Sequence, residues 1–416
     1  MFLLVKNIVS LFILQASSYA VPLITTPYLA RTLGVANFGV LGVASAIVSY
    51  ISLVSDWGFG FTATRETARH AADPNALRKI LWNTLLAKVL LCSAAVVVFW
   101  SIVLIIPQWH DLLTLLIVYS FMPICGIFGV GWFLQGMEKM VVYAAVSLIG
   151  RLAYIPLVFI FVHSRDDIII VALIQTGTAI VSVIASLVVA SRFISLLPVH
   201  LDLWAALRQI KIGWPVFLST SGISLYTQSN IILVGTIAGP IQAGLYSGGE
   251  KIQRVLQGIS GPISAAVYPR INNLLVSNPD ESHRLMRWTL IGQGGFTLCL
   301  SFTLFLSADF VTNVFLGRQY ADAVPVIRWL SAVPFLTGLS NALGTNMMFP
   351  FGMNAEMARI TLASGFLNLA MMSFLAHQAG AVGAAISIVL TEIFVTTAMA
   401  WTIYLKGKIV FQTSAK

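Results

Sequence analysis

Charge is scarce in this chain. Only 9% of its 416 residues are Asp, Glu, Lys or Arg, against 58% hydrophobic, so no fold of it could present the charged surface of a water-soluble domain. Acidic residues are the scarcer sign, 15 against 24 Lys and Arg, and they form no cluster of the kind a carboxylate-based enzyme site needs. Cysteine is nearly missing. Cys92, Cys125 and Cys299 each fall within an apolar run, which excludes a disulfide framework and a cysteine metal site and predicts core packing for all three. The cations are scattered over loop ends, without aromatic stacking platforms, which excludes nucleic acid as a partner. No segment is long and polar enough for a soluble domain, and no motif calls for a cofactor.

What the chain has instead is apolar length. Mean hydropathy is +0.89, and runs of about 20 residues, enough to cross a hydrocarbon core of roughly 30 Å, recur along the chain. The expected spans are 7–29, 39–61, 80–106, 112–134, 140–162, 168–190, 214–238, 243–268, 288–308, 324–349, 356–377 and 381–404. They run continuously instead of alternating, so helices are expected and barrel strands are not. The first is interrupted by Gln15, Ser17 and Ser18 and lacks a small-residue cleavage site, which reads as a retained span and not as a signal peptide.

The chain repeats itself. Adding 205 to Lys6, Gly34, Gly39, Arg65 and Pro74 lands on Lys211, Gly239, Gly244, Arg270 and Pro279, residue types conserved in one register. Copies running in the same sense need an even number of spans each. The expectation is an all-α integral membrane protein of twelve transmembrane helices, built as two parallel six-helix repeats around a central cationic cavity. The N-terminal bundle is 1–205, and the C-terminal bundle with a short cytoplasmic tail is 206–416.

Loop charge predicts the orientation. With a cytoplasmic N-terminus, one face holds Lys6, Arg65, Arg69, Arg78, Lys79, Lys139, Arg192, Arg208, Lys211, Arg270, Arg284, Arg287, Lys406, Lys408 and Lys416, and the other only Arg31, Arg165 and Arg318. The positive-inside rule then puts both termini in the cytoplasm. Between the copies, Leu201, Leu203, Trp204 and Leu207 predict an interfacial helix. ADPNALRK and SNPDESHR predict short capped cytoplasmic helices.

Six cations remain within or at the edges of spans: Lys88, Arg151, Lys251, Arg254, Arg328 and Arg359. The last two are close enough to span ends to snorkel. The other four are deep, where a charge costs roughly 2.5 to 3.5 kcal/mol on insertion scales and so marks a wet cavity, an ion pair or function. Lys251 and Arg254 share one helix face, continued by Gln257, Gly258 and Gly261. Glu250 and Glu392 are the deep carboxylates. Glu250 is placed either in the cavity or in an i,i+4 bridge with Arg254. Glu392 is placed either as an ion-coupling group or as a hydrogen-bonded link between helices. Asp56, Arg65 and Arg270 sit at cytoplasmic span ends, where they anchor topology or form an inner gate. Four deep cations against two carboxylates predict an electropositive cavity, one that selects anions.

The residues TPYLARTLGVANFGVLGVASAIVSYISLVSDWGFGFTATRETAR, at 26 to 69, and GLYSGGEKIQRVLQGISGPISAAVYPRINNL, beginning at Gly244, resemble the bacterial polysaccharide transporters, the O-antigen flippases of the multidrug, oligosaccharidyl-lipid and polysaccharide exporter superfamily. The resemblance implies a multi-pass protein of the bacterial inner membrane that carries undecaprenyl-diphosphate-linked oligosaccharide outward by alternating access. It implies Lys88, Arg151, Lys251 and Arg254 as substrate-binding cations. Its partners would be the lipid-linked oligosaccharide, membrane lipids and polysaccharide polymerase machinery, with a proton, sodium or the membrane potential alone as the driving force. Two other classes compete. A cation-coupled multidrug exporter of the same superfamily would call for cavity carboxylates instead of four deep cations. A membrane polysaccharide polymerase would call for a longer external loop than 307–323.

Overall fold

Apolar segments in lipid must satisfy each backbone N–H and C=O internally, and a helix does so within one segment. In a computed structural model, all regular elements among the described residues are helices. The structure describes residues 2–199 and 201–407, without the side chains of 2–16, 140, 260, 262 and 265. Lys408, Lys416 and the side chain of Lys6, three of the orienting cations, therefore lie outside the described residues.

The chain divides into two compact units. One comprises Met1–Leu33 and Val40–Ser221, the other Gly34–Gly39 and Gly222–Lys416. Among the described residues, eight helical stretches are long and apolar enough to cross a membrane: Ser17–Arg69, Pro74–Ile105, Pro107–Gly136, Val141–Phe161, Ile168–Ala190, Pro279–Leu306, Arg318–Met348 and Asn354–Leu405. The first and last of these span 53 and 52 residues. Each is bent within, the first at Gly34 (φ 78°, ψ 169°) and the last at Ala379 and Gly380.

The first unit is centred on Phe59, Leu77, Leu81 and Leu85, packed with Phe133 and Leu134. The second has a methionine-rich centre of Met286, Met347, Met348, Met353 and Met399, side chains that fill irregular gaps. Outward faces are apolar as well, with Val97, Leu104 and Ile105 exposed on one helix and Phe302 and Leu306 on another, as lipid-facing surfaces are. Cys92 is buried, but Cys299 is exposed, so the expected core packing does not hold for it.

The backbone repeats where the sequence does. Gly239, 205 positions after Gly34, adopts φ 89° and ψ 174°, close to the values at Gly34. Both lie in a region that, in practice, only glycine occupies. Further on, Asp73 caps the helix that starts at Pro74, accepting from the N–H groups of Asn75 and Ala76 at 2.9 and 3.1 Å. Asn278 caps the one that starts at Pro279, accepting from Glu281 N–H.

Two expectations change. The capped segments are not separate short helices but the first turns of Pro74–Ile105 and Pro279–Leu306. Nothing after either proline breaks the ladder. The linker helix also runs on, as Leu203–Thr227. Trp57 fastens it to the first unit, stacking on Phe217 at 3.8 Å and donating from Nε1 to Ile210 O at 2.9 Å. Leu203, Trp204 and Leu207 on this helix, and Leu201 before it, are exposed, as apolar groups laid on lipid would be.

Candidate functional site

In the first unit, the expected span 112–134 does not form one continuous helix. It breaks between Leu113–Gly126 and Gly131–Gly136, where Gly126, Gly129 and Gly131 crowd within six positions of the sequence. Broken backbone at membrane depth occurs where it lines a cavity. Here it lines one of about 470 Å³, together with Asp56, Lys88, Gln135, Tyr143, Ser147, Ser182, Ser186 and Thr220. A side-chain carbon on Gly60 or Gly126, both in its wall, would meet nothing within 4 Å.

Lys88 is the cation of this cavity. Its side chain is only 5% exposed, and its Nζ lies 2.8 Å from Asp56 Oδ1, whose own side chain is 67% exposed. Asp56 was expected at a cytoplasmic span end, and it is the last residue of the helix Phe2–Asp56. The sequence did not predict its pairing with a lysine 32 positions away. Helix Pro74–Ile105 begins earlier than the expected span at 80, and Lys88 falls in its second quarter, level with the end of the first helix.

Arg151 does not join that cavity's lining. Its guanidinium donates to Ser17 Oγ at 3.1 Å and also to Ser18 Oγ, the polar residues that interrupt the first apolar run. Arg65 is exposed on the helix Phe59–Arg69.

In the second unit, the helix Pro240–Gln257 carries three of the expected charges. Arg254 donates to Glu250 Oε1 at 2.9 Å and to Thr227 O at 3.3 Å. The i,i+4 bridge is therefore formed, with Glu250 buried and Arg254 about half exposed. Lys251 is exposed next to it, on a helix otherwise buried from Ala243 through Gln253. Gln257 accepts from Gln253 Nε2 at 2.8 Å and ends this helix, so Gly258 and Gly261, expected to continue its polar face, lie beyond it, Gly261 on the next helix, Ser260–Ser277. Arg270 stands 3.9 Å from Glu281. Arg328, expected to snorkel, pairs with Asp309 at 2.6 Å, both side chains partly exposed, and Arg359 is exposed.

Glu392 is buried in the helix Asn354–Leu405. No hydrogen bond or salt bridge reaches it from the described residues, so the expected interhelical link is not formed at Glu392. It is formed one residue away, where Thr391 and Ser387 accept from Asn368 Nδ2 at 3.0 and 3.2 Å. The uncharged lining of the first unit's cavity escaped the sequence reading, because Gln135, Ser147, Ser182 and Ser186 carry no charge to mark them. The cluster of glycines in one apolar run was the available signal.

Residues 4–275 match a family model described as "Polysaccharide biosynthesis protein". Over 396 residues, 95% of either chain, the sequence is 34% identical to an Escherichia coli (strain K12) protein named "Putative O-antigen transporter". It is 27% identical to a Shigella dysenteriae protein of the same name, over 95% of this chain and 98% of that one. Among solved structures, an inward-facing multidrug resistance MATE family transporter of the MOP superfamily superposes with a TM-score of 0.73 at 16% identity, covering 95% of this chain and 96% of that one. The lipid II flippase MurJ in its inward closed conformation gives 0.57 at 13% identity, over 96% and 86%. At such identities the likeness is one of fold.

Proposed function

The chain belongs to the polysaccharide biosynthesis protein family, and on that premise we propose that it is a flippase moving an undecaprenyl-diphosphate-linked oligosaccharide of the O-antigen type from the cytoplasmic to the periplasmic leaflet by alternating access. It is a membrane transporter and not an enzyme. The observation that carries the substrate reading is Lys88, a buried ammonium set in the wall of a cavity with hydroxyl and amide neighbours. An ammonium binds phosphate oxygens through charge-assisted hydrogen bonds, and hydroxyl and amide groups suit a glycan. Lys251, Arg254 and Arg151 are the further substrate cations of this reading.

The proposed topology is twelve crossings in the bacterial inner membrane, with both termini cytoplasmic and two like repeats, 1–205 and 206–416. At about 1.5 Å of rise per residue, a bent stretch of 53 or 52 residues is long enough to cross a core of roughly 30 Å twice. Moving an anionic carrier out of a cell that is negative inside gains about 2.3 kcal/mol per charge per 100 mV. Glu392, buried with no hydrogen bond or salt bridge among the described residues, is the proposed group for a coupling proton or sodium ion, with Glu250 held by Arg254. Polysaccharide polymerase machinery is the proposed partner downstream.

The test is loss of the gene. The expected result is accumulation of a diphosphate-linked glycan on the cytoplasmic leaflet and its disappearance from the surface, restored by the intact chain. Normal surface glycan with lost resistance to cationic drugs would favour a multidrug exporter instead.

A further inference from the structure

The bridge between Lys88 and Asp56 is lopsided. The ammonium is enclosed, its side chain 5% exposed, while the carboxylate bonded to it at 2.8 Å belongs to a side chain 67% exposed. A surface ion pair has two mobile ends, and a buried one has none. Here only the acid can leave. Asp56 closes its helix, and the residue after it is held, Trp57 stacking on Phe217 and donating to Ile210 O, so the part that can leave is the exposed carboxylate side chain on a fixed backbone. Both charged groups line the same cavity of about 470 Å³, and a side-chain carbon added at Gly60 or Gly126 in its wall would meet nothing within 4 Å.

We propose that Asp56 is a built-in competitor for the anionic group of the cargo at Lys88, displaced when a diphosphate enters and returning when it leaves. This rests on the reading of Lys88 as a phosphate partner. An empty cavity would otherwise hold a bare buried ammonium, whose desolvation is costly unless it is paired. A carboxylate neutralises it between cycles. A diphosphate offers the same oxygen chemistry with more charge and more acceptors, so it wins the exchange while present. The displaced carboxylate has water within reach. On the far side its return expels the headgroup, so the same residue that weakens loading speeds release. Asp56 thereby sets the affinity of the site and does not simply mark topology.

The exchange is tested on the purified full chain in lipid nanodiscs, with glycan-free undecaprenyl diphosphate and inorganic pyrophosphate as probes. Asp56→Asn is expected to bind both about tenfold tighter, the scale of one charge-assisted competitor removed, and to flip the lipid more slowly in vesicles. Lys88→Met is expected to lose that binding, and the double variant to match Lys88→Met alone. If Lys88→Met binds less but Asp56→Asn binds no tighter, the competitor idea is overturned while the phosphate reading of Lys88 stands. If Lys88→Met binds both probes unchanged, the reading of Lys88 falls and the competitor falls with it. Should Asp56→Asn not fold, Asp56→Ser removes the same charge and is read in the same assay: binding of both probes about tenfold tighter supports the exchange, and unchanged binding overturns it.

Discussion

Gly39 and Gly244 meet backbone to backbone, and the contact is reciprocal. A side-chain carbon on Gly39 would collide with the Pro240 carbonyl, and one on Gly244 with the Val35 carbonyl. The shift of 205 that carries Gly39 onto Gly244 also carries Val35 onto position 240, so each collision is the image of the other. The reciprocity keeps the 205-residue register in which Lys6, Gly34, Arg65 and Pro74 also recur.

Valine at either glycine should therefore be costly, and equally so. Inserted methyl groups cost about 1–3 kcal/mol where side chains can yield, and here the obstacle is a carbonyl, so the loss should reach or exceed the top of that range. Thermal melting of purified Gly39→Val and Gly244→Val checks this. One variant melting like the wild type beside a crippled partner would break the equivalence.

Gly34 and Gly239 offer a gentler version of the comparison. Both sit at φ near 80–90° with ψ near 170°, so alanine at either should cost about 1–3 kcal/mol in backbone strain. At Gly239 nothing lies within 4 Å of the added carbon, which leaves strain as the sole cause. Asparagine, which tolerates the left-handed helical region and not this one, should rescue neither. Gly295→Ala, in a helix interior with open space around it, should stabilise by about 0.4–1 kcal/mol. Equal melting of Gly239→Ala and Gly295→Ala would refute the assignment of strain.

The helices were legible because lipid leaves an apolar chain few alternatives, and helix starts were legible at Asp73–Pro74 and Asn278–Pro279 because caps are local chemistry. Glu250 and Arg254 could be paired on paper, since four residues along a helix fix their distance. Lys88 and Asp56 could not. Their meeting depends on how one helix lies against another, and period alone says nothing of that. Arg151 shows the same limit, its serine partners lying more than 130 positions earlier. The cavity was less legible still, because hydroxyls and glycines are ordinary residues in a membrane helix until packing leaves a space beside them.

Outside the spans, Asp167 ties the short connection before Ile168–Ala190. Its carboxylate accepts from the backbone N–H groups of His163 and Ser164, at 2.7 Å each, and these bonds hold it below the usual aspartate range. A lowered folded value means that the contribution is complete above the ordinary aspartate value of about 3.9 and is lost as pH falls through the lowered one. Hydrogen exchange at these two amides should thus stay protected down to about pH 4 and open below. Asp167→Asn should show no such acid step, and an identical step in the variant would remove Asp167 as its cause.

The deep cations divide by their partners, and that division predicts how each variant fails. Lys251 is exposed on its helix, so Lys251→Ala leaves no buried carboxylate unpaired and should keep normal protein levels. If it binds phosphate, losing it removes a charge-assisted bond of roughly 1.5 to 3 kcal/mol, about a 10- to 150-fold loss of affinity, and Lys251→Arg should restore much of it because an ammonium acts as a point charge. Arg254 differs. Arg254→Ala strands the buried Glu250, and breaking a buried pair from one side costs about 3–5 kcal/mol at full burial, discounted here because Arg254 is about half exposed. Less inserted protein is expected along with less transport. The double variant Arg254→Ala with Glu250→Gln removes the stranded charge and should recover insertion. If transport stays lost while insertion returns, Arg254 serves the substrate as well as Glu250. Recovery of both would leave it only the bridge. Immunoblots of membrane fractions beside surface-glycan staining separate the outcomes.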